Sequence, residues 1–116
     1  MLRADDYLYF LEDSRARVAV ISEALLGEAG PILGQARHLK HVVVAGHPSG
    51  TQIGFDAWIA RASSRLEAAD TSRDEPALWL YSSGSTGRPK GAVHLQHDMV
   101  FCTEAYARGV LGMTEA

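Results

Sequence analysis

Two short β-branched runs, Val18-Ala19-Val20-Ile21 and His41-Val42-Val43-Val44-Ala45, constrain this chain more than any other feature, because neither alternates with polar residues. Such a run has no face to give to water, which is the pattern of strands covered on both sides in a parallel sheet. Good helix formers lie between the two runs. A third continuous apolar run, Ala77-Leu78-Trp79-Leu80-Tyr81, and a shorter one, Ala92-Val93-His94-Leu95, follow later. The intervening segments read as helices. Asp5 and Asp6 precede the i, i+3, i+4 stripe Tyr7, Phe10, Leu11, so residues 5–13 are predicted helical, with the acids where the helix dipole favours them. Ser22 is placed to cap the next helix, and Gly27, Gly30, Pro31 and Gly34 interrupt the stretch 23–36, which reads as a short helix followed by an irregular or second short helical piece. Phe55, Trp58, Ile59, Ala62 and Leu66 mark an amphipathic helix begun by Asp56, expected to pack on a sheet. Met99, Cys102, Tyr106 and Val110 line one side of a last helix. The expectation is an α/β fold: one domain over 1–116, with helices flanking a partial, mainly parallel sheet, its first two strands side by side.

The chain has 116 residues and is 47% hydrophobic, enough for a core and far from the composition of a disordered chain. Its net charge of −3, without a basic block, argues against nucleic acid as a partner. The apolar runs are too short to span a bilayer, and the acidic start Asp5-Asp6 is unlike a signal peptide, so the expected location is cytoplasmic with no membrane partner. Cys102 stands alone, which fits a reducing compartment, and its place on the apolar stripe makes it a small core residue.

Chemistry concentrates in Tyr81-Ser82-Ser83-Gly84-Ser85-Thr86-Gly87-Arg88-Pro89-Lys90-Gly91, directly after the third run. Glycines allow backbone N–H groups to converge on an anion, hydroxyls add neutral donors, and Lys90 brings a compact mobile charge. Together they describe a loop that holds a nucleotide's polyphosphate. A Walker loop is excluded, since Lys90 is followed by Gly91 where a serine or threonine is required. No Gly-x-Ser-x-Gly elbow is present, because Ser83 stands two places before Ser85.

Ser82 to Gly91 closely resembles the phosphate-binding signature of the acyl-adenylating (AMP-forming) superfamily, which includes acyl-CoA synthetases, peptide-synthetase adenylation domains and firefly luciferase. Asp5 to Ala16, Trp79-Leu80-Tyr81 and His94-Leu95-Gln96-His97-Asp98-Met99 are similar to the benzoate-CoA ligase branch, and the likeness runs through the whole chain. Trp79 departs from the pattern, standing where an aliphatic residue is usual. The resemblance implies an ATP-dependent ligase: a benzoate-like carboxylate attacks the α-phosphorus of MgATP to give an acyl-adenylate and pyrophosphate, and the thiol of coenzyme A then displaces AMP. Ser82, Ser83, Gly84, Ser85, Thr86, Gly87 and Lys90 would hold the phosphates; none would be a catalytic base or a metal ligand, and the magnesium ligand would lie outside this chain.

The family is several times longer, so the resemblance further implies an interior piece of the large N-terminal domain, without the C-terminal domain and inactive alone. Its partners would be the carboxylate, the nucleotide, and either the missing remainder of the fold or a second copy pairing through exposed sheet edges. A stand-alone nucleotide-binding module, or a ligase for another acid, are the alternatives. Elsewhere plainer readings hold. His38 with His41 and His94 with His97 share an i, i+3 spacing with no evident completing ligand and read as solvated or capping groups; Trp58 and Tyr106 read as packing residues, and Arg88 as solvated.

Overall fold

The computed structural model describes residues 2–82 and 87–114. The chain forms two compact units, residues 1–66 and 67–116, and each is described by itself.

In the first unit, helix α1 (Ala4–Asp13) opens where Asp6 accepts the backbone N–H of Arg3 at 2.8 Å, the side chain satisfying a donor that the helix cannot. Tyr7 and Phe10 meet edge to face along its predicted stripe. Strand β1 (Val18–Ser22) leads through a 3₁₀ turn (Glu23–Leu25) into α2 (Leu26–Leu33). Ser22 stands at the cap position, but its hydroxyl makes no capping bond. After β2 (His41–Ala45) come β3 (Ile53–Gly54), a pair of residues that the periodicity did not mark, and α3 (Phe55–Ile59).

The three strands form the expected parallel sheet in the order β1-β2-β3. Val18 is in register with His41 and Ser22 with Ala45, so the first two runs lie side by side as read; Val43 meets Ile53 on the other flank. Being central, β2 contributes the most enclosed side chains, Val43 and Val44. Ala19, Ala29, Ile32 and Ala36 complete the core. Val18 and Val20, on the opposite side of β1 from Ala19, are about half exposed, so this strand is covered less fully than its composition predicts.

Helix α3 is shorter than the 55–66 stripe predicts. It ends at Ile59 in turn bonds such as Ala62 N–H to Ile59 O at 2.9 Å, and Leu66 is 94% exposed. Beyond those turns Ser63 Oγ accepts the N–H of Arg65 at 3.0 Å, a local bond in place of a helical one.

Polar ties brace this unit, and Glu28 Oε1 accepts the N–H of Ala4 at 2.9 Å. Glu12 accepts the backbone N–H of Arg37 at 2.6 Å and its guanidinium Nε at 2.7 Å, and these bonds hold the carboxyl below the usual carboxylate range. At the carboxyl ends of β1 and β2, Glu23 Oε2 lies 2.9 Å from His47 Nδ1 and accepts its backbone N–H at 3.1 Å. The shared hydrogen bonds lower the Glu23 pKa and raise that of His47. Gly46 makes room for this pair, since at φ +124° any Cβ there would overlap Glu23. Such a substitution should cost about 1–3 kcal/mol through the strained backbone alone, read as a lower melting temperature for Gly46→Ala.

In the second unit, β4 (Pro76–Ser82) and β5 (Lys90–Leu95) pair antiparallel as a two-stranded sheet, because a seven-residue connection makes a hairpin and is too short for a parallel crossover. Helix α4 (Gln96–Cys102) follows, then wider π-helical turns over Thr103–Arg108. Thr103 donates its hydroxyl to Met99 O at 2.9 Å where the helix widens, and Leu111 N–H reaches back to Tyr106 O at 2.9 Å. The stripe Met99, Cys102, Tyr106, Val110 is exposed instead of buried, so Cys102 is a surface thiol and not the core residue its spacing predicts.

The Glu23–His47 pair fixes a pH window. The raised His47 pKa adds stability that is complete below 6.5 and lost as pH rises through the folded value; the lowered Glu23 pKa adds stability present above 4.5 and lost as pH falls through its folded value. The His47 ring, followed by NMR, should titrate with a midpoint above 6.5, and Glu23→Gln should return it towards that value.

Candidate functional site

The candidate loop closes the β4–β5 hairpin. Ser82 is the last residue of β4 and Lys90 the first of β5, and the two are direct cross-strand partners. Residues opposite each other on an antiparallel pair share a face with Cβ atoms about 4.5–5.5 Å apart. The hydroxyl of Ser82 and the ammonium of Lys90 therefore leave the same face at the neck of the loop, and both residues are exposed. Lys90 already belongs to the strand, so β5 begins two residues before the expected Ala92. The strand ladder thus supplies a rigid base for the lysine, whereas the sequence placed it in the loop.

Gly87 adopts φ +148°, a conformation closed to most L-residues. The remaining expected phosphate ligands, Ser83, Gly84, Ser85 and Thr86, lie outside the described residues. One strand step into β5, Gly91 lies against Trp79 and Tyr81: a Cβ built there would meet Trp79 Cδ1 and Tyr81 Cε1, each at 3.2 Å. The two rings lean across the glycine in the way aromatic side chains commonly cover glycine on a sheet. Trp79, the departure from the family pattern, thus fills space that Gly91 leaves open.

At its base the hairpin is tied to α4. Gln96 N–H donates to Glu75 O at 3.0 Å and His97 N–H to Arg73 O at 3.1 Å. The His97 ring lies 3.3 Å from Asp74 Oδ1 and, through its other nitrogen, 3.3 Å from Asp98 Oδ1; His94 Nδ1 is 3.4 Å from Asp98 Oδ2. Asp98 also accepts the N–H of Leu95 at 2.9 Å, capping α4. The i, i+3 spacing identified the two histidines without Asp98, which stands in the same segment, or Asp74, which arrives from the turn before β4 and is brought close by the hairpin pairing. Among the described residues, no group of three histidine, cysteine or acidic side chains is arranged to hold a metal ion, and no helix is long and apolar enough to cross a membrane.

The chain belongs to the AMP-binding enzyme family, whose model matches residues 1–115. It is 47% identical over 115 residues to the benzoate–CoA ligase of Thauera aromatica, a match covering 99% of this chain and 21% of that protein. Among solved structures, the anthranilate CoA ligase AuaEII in complex with anthranoyl-AMP superposes on the whole chain with a TM-score of 0.92 at 34% identity, using 23% of its own length. A benzoate CoA ligase from Burkholderia xenovorans LB400 matches 98% of the chain and 21% of its own, with a TM-score of 0.78 at 31% identity. The 116 residues therefore span about a fifth of the relatives they match.

The loop geometry is directly testable. Gly87→Ala should strain the turn by about 1–3 kcal/mol and broaden the amide signals of the hairpin. Gly91→Val should displace the Trp79 ring, seen as a change in its fluorescence maximum, while signals of the first unit stay in place.

Proposed function

We propose that this chain is the phosphate-holding part of an ATP-dependent, AMP-forming acid–CoA ligase that acts on benzoate or a similar aromatic acid, and that it forms one portion of that enzyme's large AMP-binding domain. The observation that carries the reading is the Ser82–Lys90 register, which puts a hydroxyl and a cation on one face at the neck of a glycine- and serine-rich loop. Identity of 47% to a benzoate–CoA ligase supports the choice of acid.

In this reading the carboxylate of the acid attacks the α-phosphorus of ATP, the bond to the β,γ-phosphates breaks, and pyrophosphate leaves. The thiol of coenzyme A then attacks the acyl carbon, and AMP departs as the thioester forms. Ser82, Ser83, Ser85, Thr86 and the backbone around Gly84 and Gly87 would hold the β- and γ-phosphates in line for departure. Lys90 would offset the negative charge that grows on pyrophosphate. Their contribution is positioning and electrostatics, the main levers available in phosphoryl chemistry. A carboxylate is already a charged nucleophile, so no residue of the loop is needed as a base. Magnesium would come with ATP as its complex and supply further charge neutralisation; no residue of this chain is proposed to ligate it. We place the enzyme in the cytoplasm, where ATP and coenzyme A are available.

Calorimetry should show ATP binding weakly to the 116-residue chain, with Lys90→Ala weakening it about tenfold, or ~1.4 kcal/mol, and AMP binding less well than ATP. Equal heats for wild type and Lys90→Ala would remove the phosphate role. Benzoate-dependent exchange of pyrophosphate into ATP should be absent from the 116-residue chain alone, and turnover there would show that these residues suffice.

A further inference from the structure

Lys90 stands between two residues of opposite backbone character, Pro89 and Gly91. The proline ring fixes φ on one side, whereas the glycine on the other has no side chain to limit its rotation. A lysine so placed is well directed only where something restrains the glycine. Gly91 keeps the extended backbone of β5, so no left-handed conformation calls for glycine there. What it offers is space, and two rings fill it. A Cβ at Gly91 would meet Trp79 Cδ1 at 3.2 Å, and Tyr81 Cε1 and Cζ, also at 3.2 Å. Tyr81 is the direct cross-strand partner of Gly91, and Trp79 reaches it diagonally from its own partner Val93. Trp79, Tyr81, Gly91 and Val93 share one face of the hairpin, while Ser82 and Lys90 occupy the other, since successive residues of a strand alternate sides. The rings therefore back the strand from behind and do not compete with the ammonium for space.

Resting on the phosphate reading above, we propose that Trp79 and Tyr81 are positioning residues for Lys90. By covering Gly91 they hold the β5 backbone at the neck of the loop, and so fix the direction in which the lysine leaves the strand towards the β- and γ-phosphates of a nucleotide. Neither ring touches the nucleotide. A mobile ammonium offsets charge on a departing group only to the extent that it already waits where that charge grows, so restraint at its root favours the polyphosphate without adding a contact. The arrangement also gives Gly91 a use that its backbone conformation does not: its missing side chain lets two rings close on the main chain directly beside Lys90.

The test measures ATP affinity of the 116-residue chain by calorimetry in a double-substitution cycle, with backbone order at Lys90 and Gly91 followed by NMR amide relaxation. Trp79→Leu and Tyr81→Leu each keep an apolar side chain and remove a ring. Each should weaken ATP binding about three- to fivefold, the scale of one cross-strand pair, leave AMP binding unchanged and raise the mobility of the Lys90 and Gly91 amides. Trp79→Phe and Tyr81→Phe, which keep a ring, should bind ATP as the wild type does. In the Lys90→Ala background neither leucine substitution should change ATP affinity further, because the rings act through the lysine. Val93→Ala, which trims the same face two residues beyond Gly91, should lower the melting temperature and leave ATP affinity as it is. Unchanged ATP affinity in Trp79→Leu and Tyr81→Leu overturns the proposal. An equal loss in the Lys90→Ala background overturns it too, since the rings would then act on the hairpin as a whole, and so does loss of the hairpin's amide dispersion in the leucine variants. Failure of the phosphate reading looks different: wild type and Lys90→Ala then give equal heats, while the Lys90 and Gly91 amides still lose order in Trp79→Leu.

Discussion

The antiparallel pairing of β4 with β5 is the interaction on which the candidate site depends. Its ladder sets Ser82 opposite Lys90, so a residue at the end of one apolar run and a residue eight positions later share one face. Without that register the Ser82 hydroxyl and the Lys90 ammonium would be only neighbours in sequence. The same pairing lets Trp79 and Tyr81 lean on Gly91 and brings the turn at Arg73–Asp74 to the first turn of α4. Backbone hydrogen bonds do the positioning, and the side chains use the positions they are given.

The first unit follows a different logic. Its parallel strands place both neighbours of β2 against a strand that has no polar residue between His41 and Gly46, and Val43 and Val44 at its centre are fully enclosed. Polar ties collect at the ends of elements instead: Glu12 with Arg37, Glu23 with His47, Asp6 on the N–H of Arg3. Carboxylates at such places satisfy N–H groups that the regular ladders leave over. Gly46 belongs with them, because the Glu23 carboxylate occupies the space a side chain would fill.

Membership of the AMP-binding enzyme family joins the two units in one functional account, although the chain spans about a fifth of the relatives it matches. The loop proposed to hold phosphate would act by placement, so its effect on a reaction would depend on other groups that hold the acid and the nucleoside.

Much was legible in the residues alone. The β-branched runs announced β1 and β2 and their adjacency, the acidic pair announced α1, and the glycine- and serine-rich segment with Lys90 announced the candidate site and its family. These features are local, set by side-chain shape, backbone freedom and charge over a few positions. Other features required the fold. The stripe 55–66 gave a helix only as far as Ile59, and the last stripe stayed exposed, Cys102 with it, because periodicity reports which residues could share a face but not whether anything covers that face. The two residues of β3, the Asp74–His97 and Glu23–His47 pairs, and the Ser82–Lys90 register all join positions separated along the chain. Only tertiary structure decides such meetings, since their geometry is fixed by hydrogen-bonded strands and turns and not by the composition of either partner's own segment.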